Sequence, residues 1–179
     1  MTAQRKDSII YKEQEYGIAT EPLLPFLEKN QHIKIKSNVL STACWRGYIA
    51  HWLVENDKLF LIDLDDAGEN RIGLDDLFPC QDKVFAEWFS GYIRITAGKR
   101  LLYIHMGYES IYEKDIVLEI ENGVIVSETV FDNDDALNKI AESKKGQSKT
   151  ESPFIGLYHH VFYDLMNYQY DILMKNKQR

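Results

Sequence analysis

The sequence predicts an α+β fold. It would be an antiparallel β-sheet of six to eight strands, a β-meander either open or curled toward a partly open barrel, with two or three helices including one at the C-terminus. Three observations predict it. Runs of β-branched and aromatic residues are separated by tight-turn dipeptides, Asn56-Asp57 and Asn122-Gly123 being the clearest. Consecutive hairpins imply antiparallel neighbours, because parallel strands need a long crossover. The end of the chain instead repeats apolar residues at three- and four-residue steps, the period of a helix.

In chain order, Met1 to Lys6 is polar and expected to be disordered. Ser8 to Ile18 reads as one or two short edge strands. Glu21 to Asn30 reads as a short helix or helical turn carrying Leu23, Leu24, Phe26 and Leu27; Pro22 suits a first helical turn, whereas Pro25 would remove a backbone donor if the helix had already begun. Ser41–Glu55 and Lys58–Leu64 form a hairpin through Asn56-Asp57. Leu74 to Phe78, stopped by Pro79, reads as a helical turn. Trp88–Thr96 is a central strand that Ala97-Gly98 turns back into Arg100–His105. Tyr112–Ile120 and Val124–Phe131 pair through Asn122-Gly123, residues that accept the positive φ of a type I′ turn.

Asp132 to Ser143 reads as a helix capped by Asn133 or Asp134, with Leu137 and Ile140 on one face. Residues 144–151 are a polar linker. Ser152-Pro153 then opens a C-terminal helix over 153–175, whose core stripe is Ile155, Tyr158, Phe162, Leu165, Tyr168 and Ile172. WRGYIAHW at Trp45 and WFSGYIRI at Trp88 echo each other. Common β-composition produces such echoes, and it is favoured over duplication.

The 179 residues suit a single domain over 1–179, long enough to fold without disulfide or metal. Cys44 and Cys80 make no CxxC pair and suggest no disulfide framework. The N-terminus has no apolar signal run and no stretch reaches membrane-spanning length, so the expected location is cytoplasmic, with no membrane partner. A net charge of −7 argues against nucleic acid as the main partner.

No GxSxG, GxGxxG, Walker, HExxH or CxxC signature is present, so no catalytic residue, metal ligand or cofactor is assigned. The run from Asp63 to Leu74 imitates a calcium loop but has Ala67 and Leu74 where oxygen ligands are needed, and reads as a solvated acidic loop. His105, Glu109 and Glu113 share a four-residue spacing that Gly107 interrupts. The candidate ligand-binding set is Trp45, Arg46, Tyr48, His51, Trp88, Tyr92, His105 and Tyr108, with Trp52 and Tyr103 beside it. Aromatics with a placed Arg and His can line a pocket, although such residues also fill cores.

Function is therefore weighed by class. The favoured reading is a non-catalytic binding protein, an acidic immunity or antidote type acting on a basic protein partner; this is analogy of class, not of motif. The alternative is a small-molecule-binding domain or enzyme using an aromatic pocket with Arg46, His51 and His105. Tyr163, Tyr170 and Met174 lie off the main stripe of the last helix and suggest a homodimer through it.

Overall fold

A computed structural model describes residues 2–35, 37, 41–143 and 156–178. Its elements are β1 (Asp7–Tyr11), β2 (Gln14–Ile18), α1 (Leu24–Lys29), β3 (Tyr48–Glu55), β4 (Lys58–Asp66), β5 (Val84–Phe85), β6 (Gly91–Leu102), β7 (Ile111–Glu121), β8 (Val124–Asp132), α2 (Asn133–Ser143) and α3 (Gly156–Lys177). The fold is the α+β class expected, with an eight-stranded, mostly antiparallel sheet and a C-terminal helix.

The strand order is β3-β1-β2-β6-β7-β8-β4-β5, and β3 also pairs with β4. The pairings therefore close a ring, with β5 attached outside it. The ring is thinnest between β4 and β8, where Lys58 and Val124 are the only ladder partners. Leu59 N–H to Gly123 O and Ile125 N–H to Asp57 O, both 2.8 Å, reinforce that join.

Turn chemistry explains the hairpins. Lys12-Glu13, Asn56-Asp57 and Asn122-Gly123 all take positive φ at both central positions, the conformation whose twist matches the flanking strands. At Gly123 (φ 80°) an added Cβ would sit 2.7 Å from Ala86 O, so glycine is required for space as well as for φ.

Several local expectations are corrected. β1 is not an edge strand: it lies between β2 and β3 and runs parallel to β3, with Ser8 opposite His51. The long excursion through β2 and α1 supplies the crossover a parallel pair needs. Ala97-Gly98 is not a hairpin turn. β6 runs on to Leu102, and Gly98 (φ 79°) sits in a register irregularity where Glu113 packs against it and accepts the Lys99 N–H at 2.8 Å. Residues 41–47 are turns, and β3 begins only after Gly47 (φ 79°).

The α2 cap is Asp132, whose Oδ1 accepts the Asp135 N–H. Asn133 is instead wholly buried. Residues 3–5, expected to be disordered, are tied down: Gln4 N–H donates to Gly107 O and Arg5 N–H to Ala43 O. The 144–151 linker, the Ser152-Pro153 start, Ile155, and the side chains of Ile140 and Tyr158 lie outside the described residues.

The core fills the ring. Ile9, Ile18, Trp52, Leu59, Leu61, Leu64, Ile93, Ile95 and Leu118 are all at or near zero exposure. Phe26 of α1, Phe78 and Trp88 pack against this core as a ring cluster, Phe78 stacking on Trp88 with centroids 5.6 Å apart. A second cluster, Ile111, Ala136 and Leu165, joins α2 and α3 to the sheet. The two Gly-Tyr-Ile echoes face opposite ways: Tyr48 enters the main core, whereas in β6 it is Ile93, not Tyr92, that does so.

A polar lock holds α3. Asp115, Asn133 and Gln169 are buried together, and Gln169 Nε2 donates to Asp115 Oδ2 and Asn133 Oδ1, each at 2.9 Å. Asn133 Nδ2 donates to Asp115 Oδ2 at 3.0 Å, and Arg94 Nε stands 3.0 Å from Asp115 Oδ1 as an ion pair. No described helix is long and apolar enough to cross a membrane.

Candidate functional site

Arg46, Tyr48 and Tyr108 come together, but around a buried ion pair rather than a cavity. Arg46 Nη2 donates to Asp7 Oδ1 at 2.5 Å, with both side chains nearly out of solvent. Asp7 also accepts the Ala50 N–H at 2.9 Å and the Trp52 indole N–H at 3.2 Å. Arg46 further donates to Tyr48 O, Arg5 O, Glu21 and the Tyr108 hydroxyl. Burial works against the Arg46 charge, and Asp7, Tyr108 and Glu21 outweigh it, holding the guanidinium above its ordinary value. Burial raises the Asp7 carboxyl, while Arg46 and the two N–H donors pull it back. Every polar arm of Arg46 is engaged inside the protein, so this node ties the N-terminal segment, β3 and the Tyr108 loop together.

His51 belongs to a different place. Its Nδ1 lies 2.7 Å from Ser8 Oγ and its Nε2 lies 2.8 Å from Asp65 Oδ2. Ser8 is the β1 partner of His51, whereas the β4 partner of His51 is Asp63, and Asp65 reaches the ring diagonally from two residues further on. Asp65 favours the proton on Nε2, which leaves Nδ1 to accept from Ser8. That is the wiring of an activated serine. The surroundings oppose acyl transfer, because the shallow groove over these residues is also lined by Glu15, whose negative charge would repel an oxyanion, and by Asp63, which is already paired with Arg71 at 2.6 Å. Ser8 also sits mid-strand, where the backbone N–H groups serve the ladders.

The third location was not foreseen as a unit. Lys6, Arg100, Tyr103, Tyr108 and Tyr112 line a pocket of about 340 Å³, with Gly107 and Ser110 at its wall. Lys6 is half-buried, and its stem crosses Gly17, where a Cβ would stand 3.0 Å from Lys6 Cδ. Its amine donates to Thr96 Oγ1 at 2.7 Å and lies 4.0 Å from the centre of the Tyr112 ring. Thr96 in turn donates to Gly17 O, so its oxygen is oriented to receive the amine. Arg100 lies over the Tyr103 ring at 4.9 Å. Among the described residues neither Lys6 nor Arg100 makes an ion pair. Burial, reinforced by Arg94 and Arg100 and only partly opposed by Asp115, lowers the Lys6 amine to about 8. Arg5 also borders the pocket, but its guanidinium reaches Ala67 O and Glu69.

The other predicted residues lie elsewhere. Trp45 is 60% exposed on the loop before β3. Trp88 donates its indole N–H to Pro22 O within the ring cluster. Tyr92 lies beneath Lys177 of α3. His105 meets the exposed Tyr103 hydroxyl at 2.6 Å and takes no part in the Arg46 or His51 groups. The eight do not line one cavity; Tyr108 alone of them reaches the Lys6 pocket. Asp66, overlooked in the acidic loop, organises it. Its carboxylate accepts the Asn70 and Gly68 backbone N–H groups and the Asn70 side chain, which hold it below the usual carboxylate range. Cys44 is buried and Cys80 exposed, both free.

The chain matches no protein-family model, no curated protein and no solved structure.

Proposed function

We propose that this chain is a non-catalytic binding domain whose ligand is a small anion held over Lys6 and Arg100. One observation carries the reading: in a chain of net charge −7, two cations without carboxylate partners among the described residues face one tyrosine-lined pocket. An unneutralised pair of positive charges in a partly desolvated site attracts an anion. Tyrosine hydroxyls and ring faces suit the remainder of such a ligand. The sequence-based alternative of a small-molecule site thus moves from the Arg46–His51–His105 set to this pocket.

Isothermal titration with inorganic phosphate and with oxalate tests it. Saturable binding at one site, weakened at least about tenfold in Arg100→Gln and in Lys6→Met, supports the reading. Arg71→Gln, whose guanidinium pairs with Asp63 and does not line this pocket, serves as the control. Equal affinity in all four proteins would refute it.

The protein-partner reading draws on a separate feature. Glu15, Asp63 and Asp65 border the groove above Ile10, Ile62 and Trp52, a combination that suits the stem and charge of a basic side chain. Salt-sensitive binding of an oligo-arginine peptide, abolished in Asp63→Lys, supports that reading; indifference to the substitution removes it. Dimerisation through α3 likewise draws on Tyr163 and Tyr170, exposed by 49% and 56%.

A further inference from the structure

Resting on the anion-pocket reading, we infer that the ligand is a carbonyl-bearing anion of the 2-oxo acid type, and that Lys6 Nζ captures it reversibly as an imine.

The placement of Lys6 argues for this. Its stem is threaded through space left by Gly17, and its nitrogen is fixed by Thr96 and the Tyr112 ring at the pocket wall. A lysine that served only as a surface charge would need neither clearance nor a hydroxyl acceptor. Arg100 stands at the same pocket as the group that would hold the carboxylate. Charge fixation at Arg100 and a nucleophile at Lys6 are the two requirements for a ligand with a carboxylate beside a carbonyl.

The amine is also prepared for attack. Desolvation and two neighbouring guanidinium groups, Arg94 and Arg100, lower its proton affinity to about 8. Near neutral pH this makes the neutral amine roughly a hundredfold more abundant than on an ordinary lysine. The step balances without any other reagent. The Nζ lone pair attacks the carbonyl carbon to give a carbinolamine. The carbonyl oxygen then leaves as water with both amine protons, and a C=N bond remains. Hydrolysis reverses the sequence and releases the ligand.

The experiment incubates the full chain with glyoxylate and cyanoborohydride at pH 7.5 and locates reduced adducts by peptide mass mapping. Lys12, which is exposed and paired with Glu128, is the internal reference. The inference expects Lys6 to gain a carboxymethyl group at least about tenfold faster than Lys12, with Arg100→Gln removing the part of that advantage that glyoxylate has over an uncharged aldehyde. It also expects acetaldehyde, which has no charge, to favour Lys6 only through the larger share of neutral amine, so that the preference for Lys6 is at least about tenfold greater with glyoxylate. Labelling of Lys6 no faster than Lys12, while phosphate still binds, would overturn the imine and leave the anion pocket standing. Loss of both labelling and phosphate binding would overturn the two together. Equal preference for Lys6 with acetaldehyde and glyoxylate would overturn the assignment of an anionic ligand.

Discussion

Arg46 and Asp7, far apart in sequence, form an ion pair at 2.5 Å with side-chain exposures of only 8% and 0%. The pair is satisfied because Asp7 has two further donors and Arg46 has four further acceptors, so neither charge is left bare. It fixes the strand that carries Ser8 and the segment that carries Lys6, and so stands behind both candidate sites without belonging to either.

Arg46→Met should therefore destabilise the protein by about 3–5 kcal/mol, because it strands a buried carboxylate. The double variant with Asp7→Leu should recover much of that loss. Urea unfolding of the two singles and the double measures the coupling; additive losses would mean that the pair does not act as a unit.

Tyr48 presents the opposite case. Its hydroxyl is buried and has no hydrogen-bond partner among the described residues, and burial beside Asp7 raises its pKa far above the ordinary phenol value. Tyr48→Phe should stabilise the fold by about 1 kcal/mol, since it removes an unmade bond and keeps the ring. A loss of similar size in thermal unfolding would mean that the hydroxyl does have a partner.

Lys6 should give stability an unusual pH dependence. Its folded pKa of about 8 lies below the 10.5 of the unfolded chain, so between these values the unfolded state binds more protons. Stability should rise with pH across that interval, by about 1–2 kcal/mol after allowance for partial exposure, and the penalty should be complete below pH 8. Above about pH 10 ionising tyrosines of the unfolded chain reverse the trend, because Tyr48 and Tyr108 are held protonated in the fold. Lys6→Met should abolish the rise; a rise that survives it belongs to another group.

The serine of the Ser8–His51–Asp65 row should not react. A fluorophosphonate probe is expected to label the folded protein no faster than Ser8→Ala, because Glu15 opposes the developing oxyanion. Stoichiometric labelling at Ser8 would show that the groove supports nucleophilic chemistry.

Gly17 and Gly123 should respond differently to alanine. Gly123→Ala adds a Cβ against the Ala86 carbonyl at positive φ, and should cost about 2 kcal/mol or more in unfolding experiments. Gly17→Ala meets only the flexible Lys6 stem. It should leave stability nearly unchanged yet weaken phosphate binding by displacing the amine. Unaltered binding would separate Lys6 from the pocket's function.

Local chemistry made the hairpins legible: Asn122-Gly123 and Asn56-Asp57 state their turn in two residues, and α3 states its core face through Phe162, Leu165 and Tyr168. Gly98 misled because a glycine in a strand can mark a turn or a bulge, and only the presence of Glu113 across the ladder decides which. The parallel β1–β3 pairing has no local signature at all, and it alone puts Ser8 beside His51. The candidate pocket was hidden for the same reason. Lys6 lies in a polar N-terminal run, Arg100 and Tyr103 at the end of β6, and Tyr108 and Tyr112 around the start of β7. Aromatic density points to Trp45, Trp52 and Trp88, whereas the pocket is marked by two cations that form no ion pair among the described residues, a property of three-dimensional neighbours.

The central claim is that Lys6 sits in a pocket with excess positive charge. The most direct measurement is the titration of its amine by carbon-detected NMR of lysine Cε, with and without inorganic phosphate. The account predicts a pKa near 8 in the free protein, moving upward when phosphate binds and compensates Arg94 and Arg100. A pKa at the ordinary lysine value, unmoved by phosphate, would contradict it.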